Sequence, residues 1–322
     1  MRNFYLESNS LDPYYNLALE SCLYRAMGEG DAALYLWRNQ NTVVIGRNQN
    51  AWRECRCELM ESEGAHLARR NSGGGAVFHD VGNLNFTFTA CRARYDLARQ
   101  LGVIISALGE LGIRAVASGR NDITLEDGRK FSGNAFEHSK ERSLQHGTLL
   151  IDVDMSRLTR YLNPSPLKLA AKGVSSVRSR VCNLSEMIPG LTPEAMRPLL
   201  RAAYEREYGK CEVLTPADFD ANDLETTRAR LASWEWRFGQ TPRFDAHFET
   251  RFDWGEVELN LSLRGGMVES CRLNTDAMDA ALPARVEEAL AGKAFGDVAD
   301  VLLGMPGCEE RDMGAWLKDA MR

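Results

Sequence analysis

Residues 69–89 read Arg69-Arg70-Asn71-Ser72-Gly73-Gly74-Gly75-Ala76-Val77-Phe78-His79-Asp80-Val81-Gly82-Asn83-Leu84-Asn85-Phe86-Thr87-Phe88-Thr89. Three successive glycines free the backbone of side chains, so its amides can approach a ligand closely and take dihedrals that other residues resist. Linker glycines are usually diluted with serine among polar neighbours. These instead stand between paired arginines and the apolar Ala76-Val77-Phe78, and they lead into a strand-like run over 84–89. The segment reads as a ligand site beside a strand, with a tight turn between strands as the plainer alternative.

Working outward, Asp12 caps a helix with Pro13 in its first turn and an apolar-rich body over Tyr14–Met27. Ala33–Trp37 and Thr42–Ile45 are short β-prone runs separated by Arg38-Asn39-Gln40-Asn41, a spacing that suits a hairpin or neighbouring strands. Leu97–Leu111 has helical spacing and stops at Gly112. Asp122–Leu125, Arg129–Phe136 and Gly147–Val153 are expected strands, the first pair joined at Glu126-Asp127-Gly128. Beyond Leu191 the expected elements are helices, one opened by Thr192-Pro193-Glu194 and another over Leu224–Trp236. Turn formers between Phe238 and about Thr250 mark a boundary. After it, strands over Phe252–Leu263 and Met267–Leu273 precede helices near Ala284–Leu290, Val298–Leu303 and Arg311–Met321. A chain of 322 residues allows roughly two domains, expected here as 1–244 and a small α/β unit over 250–322.

The net charge of −6 argues against a nucleic-acid binder, because a surface that tracks phosphates makes its domain basic. No apolar run approaches the ~20 residues of a membrane span, and the amino terminus has no apolar core of signal-peptide length. A cytoplasmic protein without a membrane partner is expected. The eight cysteines lack paired CxxC spacing or a histidine cluster, so reduced thiols are expected in place of zinc ligands.

Three further segments carry possible chemistry. Gly119-Arg120-Asn121-Asp122 lies at a strand mouth, where Asp122 is either a turn residue or a carboxylate for Mg²⁺. In Arg129-Lys130-Phe131-Ser132-Gly133-Asn134-Ala135, alternation sets Lys130 on the face opposite Phe131. Lys130 is then an enclosed cation beside a glycine, unless it snorkels to solvent. Lys168-Leu169-Ala170-Ala171-Lys172-Gly173-Val174-Ser175-Ser176-Val177-Arg178-Ser179-Arg180 follows Asn163-Pro164-Ser165-Pro166 and interleaves cations with small and hydroxyl residues. It reads as a loop, either simply solvated or able to close over a phosphate.

Taken together, the 69–89 block, the Lys130 block and the 168–180 loop resemble the lipoate-protein ligase A family in order and spacing. The likeness extends to Leu36-Trp37-Arg38, Val43-Val44-Ile45-Gly46-Arg47, Tyr161-Leu162-Asn163-Pro164 and Ser233-Trp234-Glu235-Trp236. It implies an α+β catalytic domain of the class II synthetase and biotin-ligase type with a small carboxy-terminal α/β accessory domain. It also implies the activity: lipoate and ATP, with Mg²⁺, give lipoyl-AMP, and the lipoyl group then passes to an acceptor lysine. Implied acceptors are the lipoyl domains of 2-oxoacid dehydrogenase E2 subunits and the glycine-cleavage H protein, served by a monomer with no permanently bound cofactor.

By the same resemblance Lys130 is the catalytic cation, touching the lipoyl carbonyl and the α-phosphate. Arg70, Ser72, Gly73, Gly74, Gly75, Ala76, Val77, Phe78, Asn83, Asn121 and Asp122 bind ATP or the adenylate, Asp122 through Mg²⁺. Trp37 closes the lipoyl slot, which His79 and His146 line, although a tryptophan or histidine in such positions equally suits a core. Lys172, Gly173, Val174, Ser175, Ser176, Val177 and Arg178 form the adenylate-binding loop. Two residues depart from the pattern: Glu137 stands where a basic residue is expected, and Cys182 follows the basic loop. Cys182 keeps open an ATP-independent octanoyl or lipoyl transferase working through a cysteine thioester. A non-catalytic lipoate binder and a biotin ligase are the remaining alternatives.

Overall fold

The computed structural model describes residues 1–118, 121–162, 181–238 and 246–321. The first helix, Pro13–Ala26, starts as the sequence predicts: the Asp12 carboxylate accepts from the amides of Tyr14 and Tyr15, two of the donors a helix start leaves unpaired. Thr192 caps Pro193–Tyr208 in the same way, and Gly112 turns the chain at a positive φ of 75° after Leu97–Gly109.

An eight-stranded mixed sheet organises the larger part of the chain. Its strands are β1 (Arg2–Glu7), β2 (Asp31–Trp37), β6 (Asn83–Cys91), β7 (Ala115–Ser118), β8 (Asp122–Leu125), β9 (Lys130–His138), β10 (Arg142–Leu150) and β11 (Glu212–Leu214), in the order β11-β1-β2-β6-β10-β9-β8-β7. Strand alternation divides β2 cleanly between two cores. Leu34 and Leu36 pack with Phe86, Phe88 and the helices Leu97–Gly109 and Pro193–Tyr208, while Ala33, Tyr35 and Trp37 face the helix Pro13–Ala26. Both faces of the sheet are therefore covered, which gives the expected α+β character.

The glycine block belongs to a second, three-stranded sheet of β3 (Thr42–Ile45), β4 (His66–Arg69) and β5 (Val77–His79), ordered β4-β3-β5. This corrects the expected pairing of Ala33–Trp37 with Thr42–Ile45. β2 pairs with β1 and β6, whereas β3 pairs with β4 and β5. A short connection fixes proximity, but burial of Val44 against the large sheet and of Val43 and Ile45 on the other side requires a separate layer.

A third sheet, β12 (Ala246–Phe252), β13 (Gly255–Arg264) and β14 (Met267–Thr275), packs with the helices Leu282–Leu290, Val298–Leu303 and Cys308–Ala320 around its own core. β12 occupies residues read from the sequence as boundary. Its alternating half-buried and exposed side chains give a weak strand signal.

Candidate functional site

Where the two three-stranded sheets and the large sheet meet, they enclose a cavity of about 450 Å³. From the sequence-predicted set, Trp37, Arg70, Gly74, Gly75, Ala76, Val77, His79, Asn121, Asp122, Lys130 and His146 line it. Ser72, Gly73, Phe78 and Asn83 lie behind that wall: Ser72 and Asn83 are fully buried, and Phe78 packs with Val43, Ile45 and Tyr161. Lys172 to Arg178 lie outside the described residues.

The cavity has a charged end and an aromatic end. At the charged end, the β8–β9 ladder sets Asp122 opposite Gly133. Phe131 turns into the core, so Lys130 turns to the cavity, and its ammonium lies 2.6 Å from Asp122 Oδ1. A Cβ on Gly133 would meet Lys130 Nζ at 3.0 Å, so the glycine makes room for the ammonium. The Lys130 carbonyl accepts from the amide of Cys182, which fixes this strand edge.

Arg70 organises the glycine loop from within. Its guanidinium donates to the carbonyls of Val44, Gly73 and Gly75 and to Ser72 Oγ. Burial lowers its pKa to about 10, still well above neutral, so the charge persists and orients the loop's peptide groups. Ser72 donates to His146 Nε2 at 2.7 Å, and His146 Nδ1–H donates to Glu20 Oε1 at 2.8 Å. Glu20 also accepts from Thr87 Oγ1, which in turn accepts from Trp37 Nε1. One hydrogen-bonded chain thus runs from the glycine loop to the tryptophan at the aromatic end.

Sequence reasoning missed Glu20 and the contribution of the third sheet's domain. Glu20 carried a signal: the lone acid in an apolar-rich helix, three residues after cavity-lining Leu17. Arg251, Asp276 and Met278 line the cavity from the small domain, and long-range docking leaves no local sequence signal. The docking explains the glycines differently from a ligand contact. Gly74 N–H donates to the Ala277 carbonyl at 3.0 Å, and a Cβ on Gly73 would lie 2.6 Å from that same oxygen.

Of the two departures, Glu137 lines a separate cavity of about 300 Å³, and burial raises its pKa. Cys182 is 1% exposed, belongs to the core beneath the large sheet, and has its thiol pKa pushed up to about 11 by burial. A nucleophilic cysteine needs access and a stabilised thiolate, so the thioester alternative is not favoured. No cysteine lines the main cavity among the described residues.

The lipoyl protein ligase A/B catalytic domain family matches residues 12–205, and the bacterial lipoate protein ligase C-terminus family matches 241–304. LipL1 of P. falciparum, solved in complex with lipoate, is 28% identical with a TM-score of 0.82, over 98% of this chain and 99% of that one. The bipartite lipoate protein ligase of Thermoplasma acidophilum, solved with its E2 lipoyl domain, is 25% identical with a TM-score of 0.64, over 76% of this chain and 98% of that one. A lipoate-protein ligase A bound with ATP shares the fold, at 24% identity and a TM-score of 0.61 over 74% of this chain and 98% of that one.

Proposed function

The chain belongs to the lipoyl protein ligase A/B catalytic domain family, and on that premise we propose that it is an ATP-dependent lipoate-protein ligase whose acceptor is a lipoyl domain. The observation that carries this reading is a single cavity with the Lys130–Asp122 pair, the glycine loop and Trp37 all at its wall. The lipoate-bound and ATP-bound relatives support the two substrates, and the relative solved with its E2 lipoyl domain supports the acceptor class. We assign residues 1–244 to adenylation and transfer and residues 250–322 to the accessory domain.

A carboxylate resists attack because its leaving group would be oxide-like, so it is first joined to AMP. A lipoate carboxylate oxygen forms a bond to the α-phosphorus as the bond to pyrophosphate breaks. The acceptor lysine amine then attacks the acyl carbon, releases AMP and loses a proton. Negative charge grows at the α-phosphate in the first step and at the carbonyl oxygen in the second. Lys130, held against Asp122 and over Gly133, serves both if the two atoms meet beside it.

Asp122 fits a role towards Mg²⁺, which is held by one or two carboxylates together with substrate phosphates in such sites. When bound, the ion would neutralise phosphate charge. Asp122 would hold it, and Asn121 stands beside that carboxylate at the cavity wall. Arg70 and the backbone of Gly74 to Val77 at the cavity wall present the adenylate-binding surface, with Ser72, Gly73, Phe78 and Asn83 supporting it from behind. Trp37, His79 and His146 line the lipoyl slot, and Lys172 to Arg178 are assigned to adenylate binding by the family resemblance alone.

Incubating the full chain with lipoate, ATP, Mg²⁺ and a purified E2 lipoyl domain tests the reading. The acceptor should gain one lipoyl group for each AMP formed. Acceptor modification from a thioester-linked donor alone, with no AMP, would sink it.

A further inference from the structure

His79 is 3% exposed, lines the main cavity, and stands edge-on to Trp37 with ring centroids 6.1 Å apart. The hydrogen bonds behind it fix its tautomer. Asn16 Nδ2 donates to the carbonyls of Ser10 and Arg38 and to Asn39 Oδ1, so that Asn39 atom is an acceptor. Asn39 Nδ2 is then the donor facing His79 Nδ1 at 3.2 Å. With Nδ1 accepting, the ring proton of the neutral imidazole sits on Nε2. Burial keeps that ring neutral by lowering its pKa to about 3.

Nε2 finds no acceptor among the described residues. Trp37 Nε1 differs, because Thr87 Oγ1 already takes its proton. Asn85, opposite Trp37 in the β2–β6 ladder and also at the cavity wall, has an Nδ2 without a partner among the described residues. The aromatic end of the slot is thus a half-polar pocket with an oriented donor. A buried donor left unmatched costs free energy, and a ligand atom that accepts from it recovers that cost.

We propose that His79 Nε2–H selects the acyl tail by polarity, donating to an acceptor atom at the depth of Trp37, and that the tail it favours is a sulfur-containing ring over a hydrocarbon of the same shape. This rests on the lipoate-ligase reading and deepens it. Length alone would make the slot indifferent between lipoate and its carbocyclic isostere. A neutral donor held in one tautomer by Asn39 gives it a second criterion. His79 acts here as a specificity residue, remote from the reacting carboxylate.

The test is calorimetric binding of lipoate, 5-cyclopentylpentanoate and octanoate to the full chain, as wild type, His79→Leu and His79→Gln. Wild type should bind lipoate over the cyclopentyl acid by about tenfold, equivalent to ~1.4 kcal/mol. His79→Leu should bring that ratio near one, and His79→Gln, which restores an amide donor, should recover most of it. Trp37 is unchanged in all three proteins, so an unchanged ratio in His79→Leu overturns the proposal, as does a wild-type ratio near one. Binding of none of the three acids to wild type would overturn the ligase reading itself and the tail assignment with it.

Discussion

Lys130 and Asp122 are joined by an ion pair of 2.6 Å at the mouth of β8 and β9, and the ammonium rests over the bare Cα of Gly133. The pair holds the cation in place before substrates arrive. It also means that phosphate and carboxylate oxygens must compete with Asp122 for Lys130. Lys130→Ala should therefore lower adenylate formation by about 10²-fold or more while circular dichroism and melting temperature stay near wild type, because the side chain is one-third exposed. Near-normal turnover in Lys130→Ala would contradict its assignment.

Gly73→Ala should loosen the small domain. The new methyl would meet the Ala277 and Met278 carbonyl oxygens at 2.6 and 2.8 Å, and neither backbone atom can yield cheaply. A cost of about 1–3 kcal/mol is expected at the interface, read as an expanded envelope in solution scattering and as faster hydrogen exchange at Gly74. An unchanged envelope would show that the contact does not govern docking.

Much of the secondary structure was legible because its signals are local. Asp12-Pro13 and Thr192-Pro193 announce helix starts by cap chemistry, and Glu126-Asp127-Gly128 closes a hairpin with Gly128 at a φ of 84°. What escaped depends on partners distant in sequence. Nothing near Thr42 says that it pairs with His66 and His79 and not with β2. Glu20 gains its meaning only when β10 brings His146 to it. The glycine triplet reads as a ligand cradle, and Gly74 and Gly75 do line the cavity, but no local signal announces that Gly74 N–H is taken by the distant Ala277 carbonyl.

Trp37 limits the slot through a fixed position, since its indole N–H is held by Thr87 and its ring stacks on Tyr35. Trp37→Leu should raise kcat/KM for acids longer than lipoate by about tenfold, within the range of one methylene's worth of pocket discrimination. A chain-length profile identical to wild type would remove Trp37 from the account.

Stability should fall as the medium is acidified through the ordinary histidine range. His79 refuses a proton in the folded state until about pH 3, whereas the unfolded chain accepts one near pH 6.5. Its contribution is therefore complete above pH 6.5 and shrinks as pH falls towards 3, amounting to a loss of about 2 kcal/mol by pH 5. Urea melts of wild type and His79→Leu at pH 5 and 7 should differ in slope accordingly, and parallel pH dependence would contradict the buried neutral ring.

Cys182→Ala should retain acyl transfer within about twofold, since the thiol faces the core, and its cost should appear as a small loss of stability, about 1 kcal/mol. Loss of transfer in a folded Cys182→Ala variant would revive the thioester route.

The central claim is that this cavity makes an acyl adenylate, and the exchange of labelled pyrophosphate into ATP tests it without any acceptor protein. With Mg²⁺ present, the account predicts exchange that depends on lipoate, proceeds more slowly with octanoate, and disappears in Lys130→Ala. No lipoate-dependent exchange by the wild-type chain would contradict it.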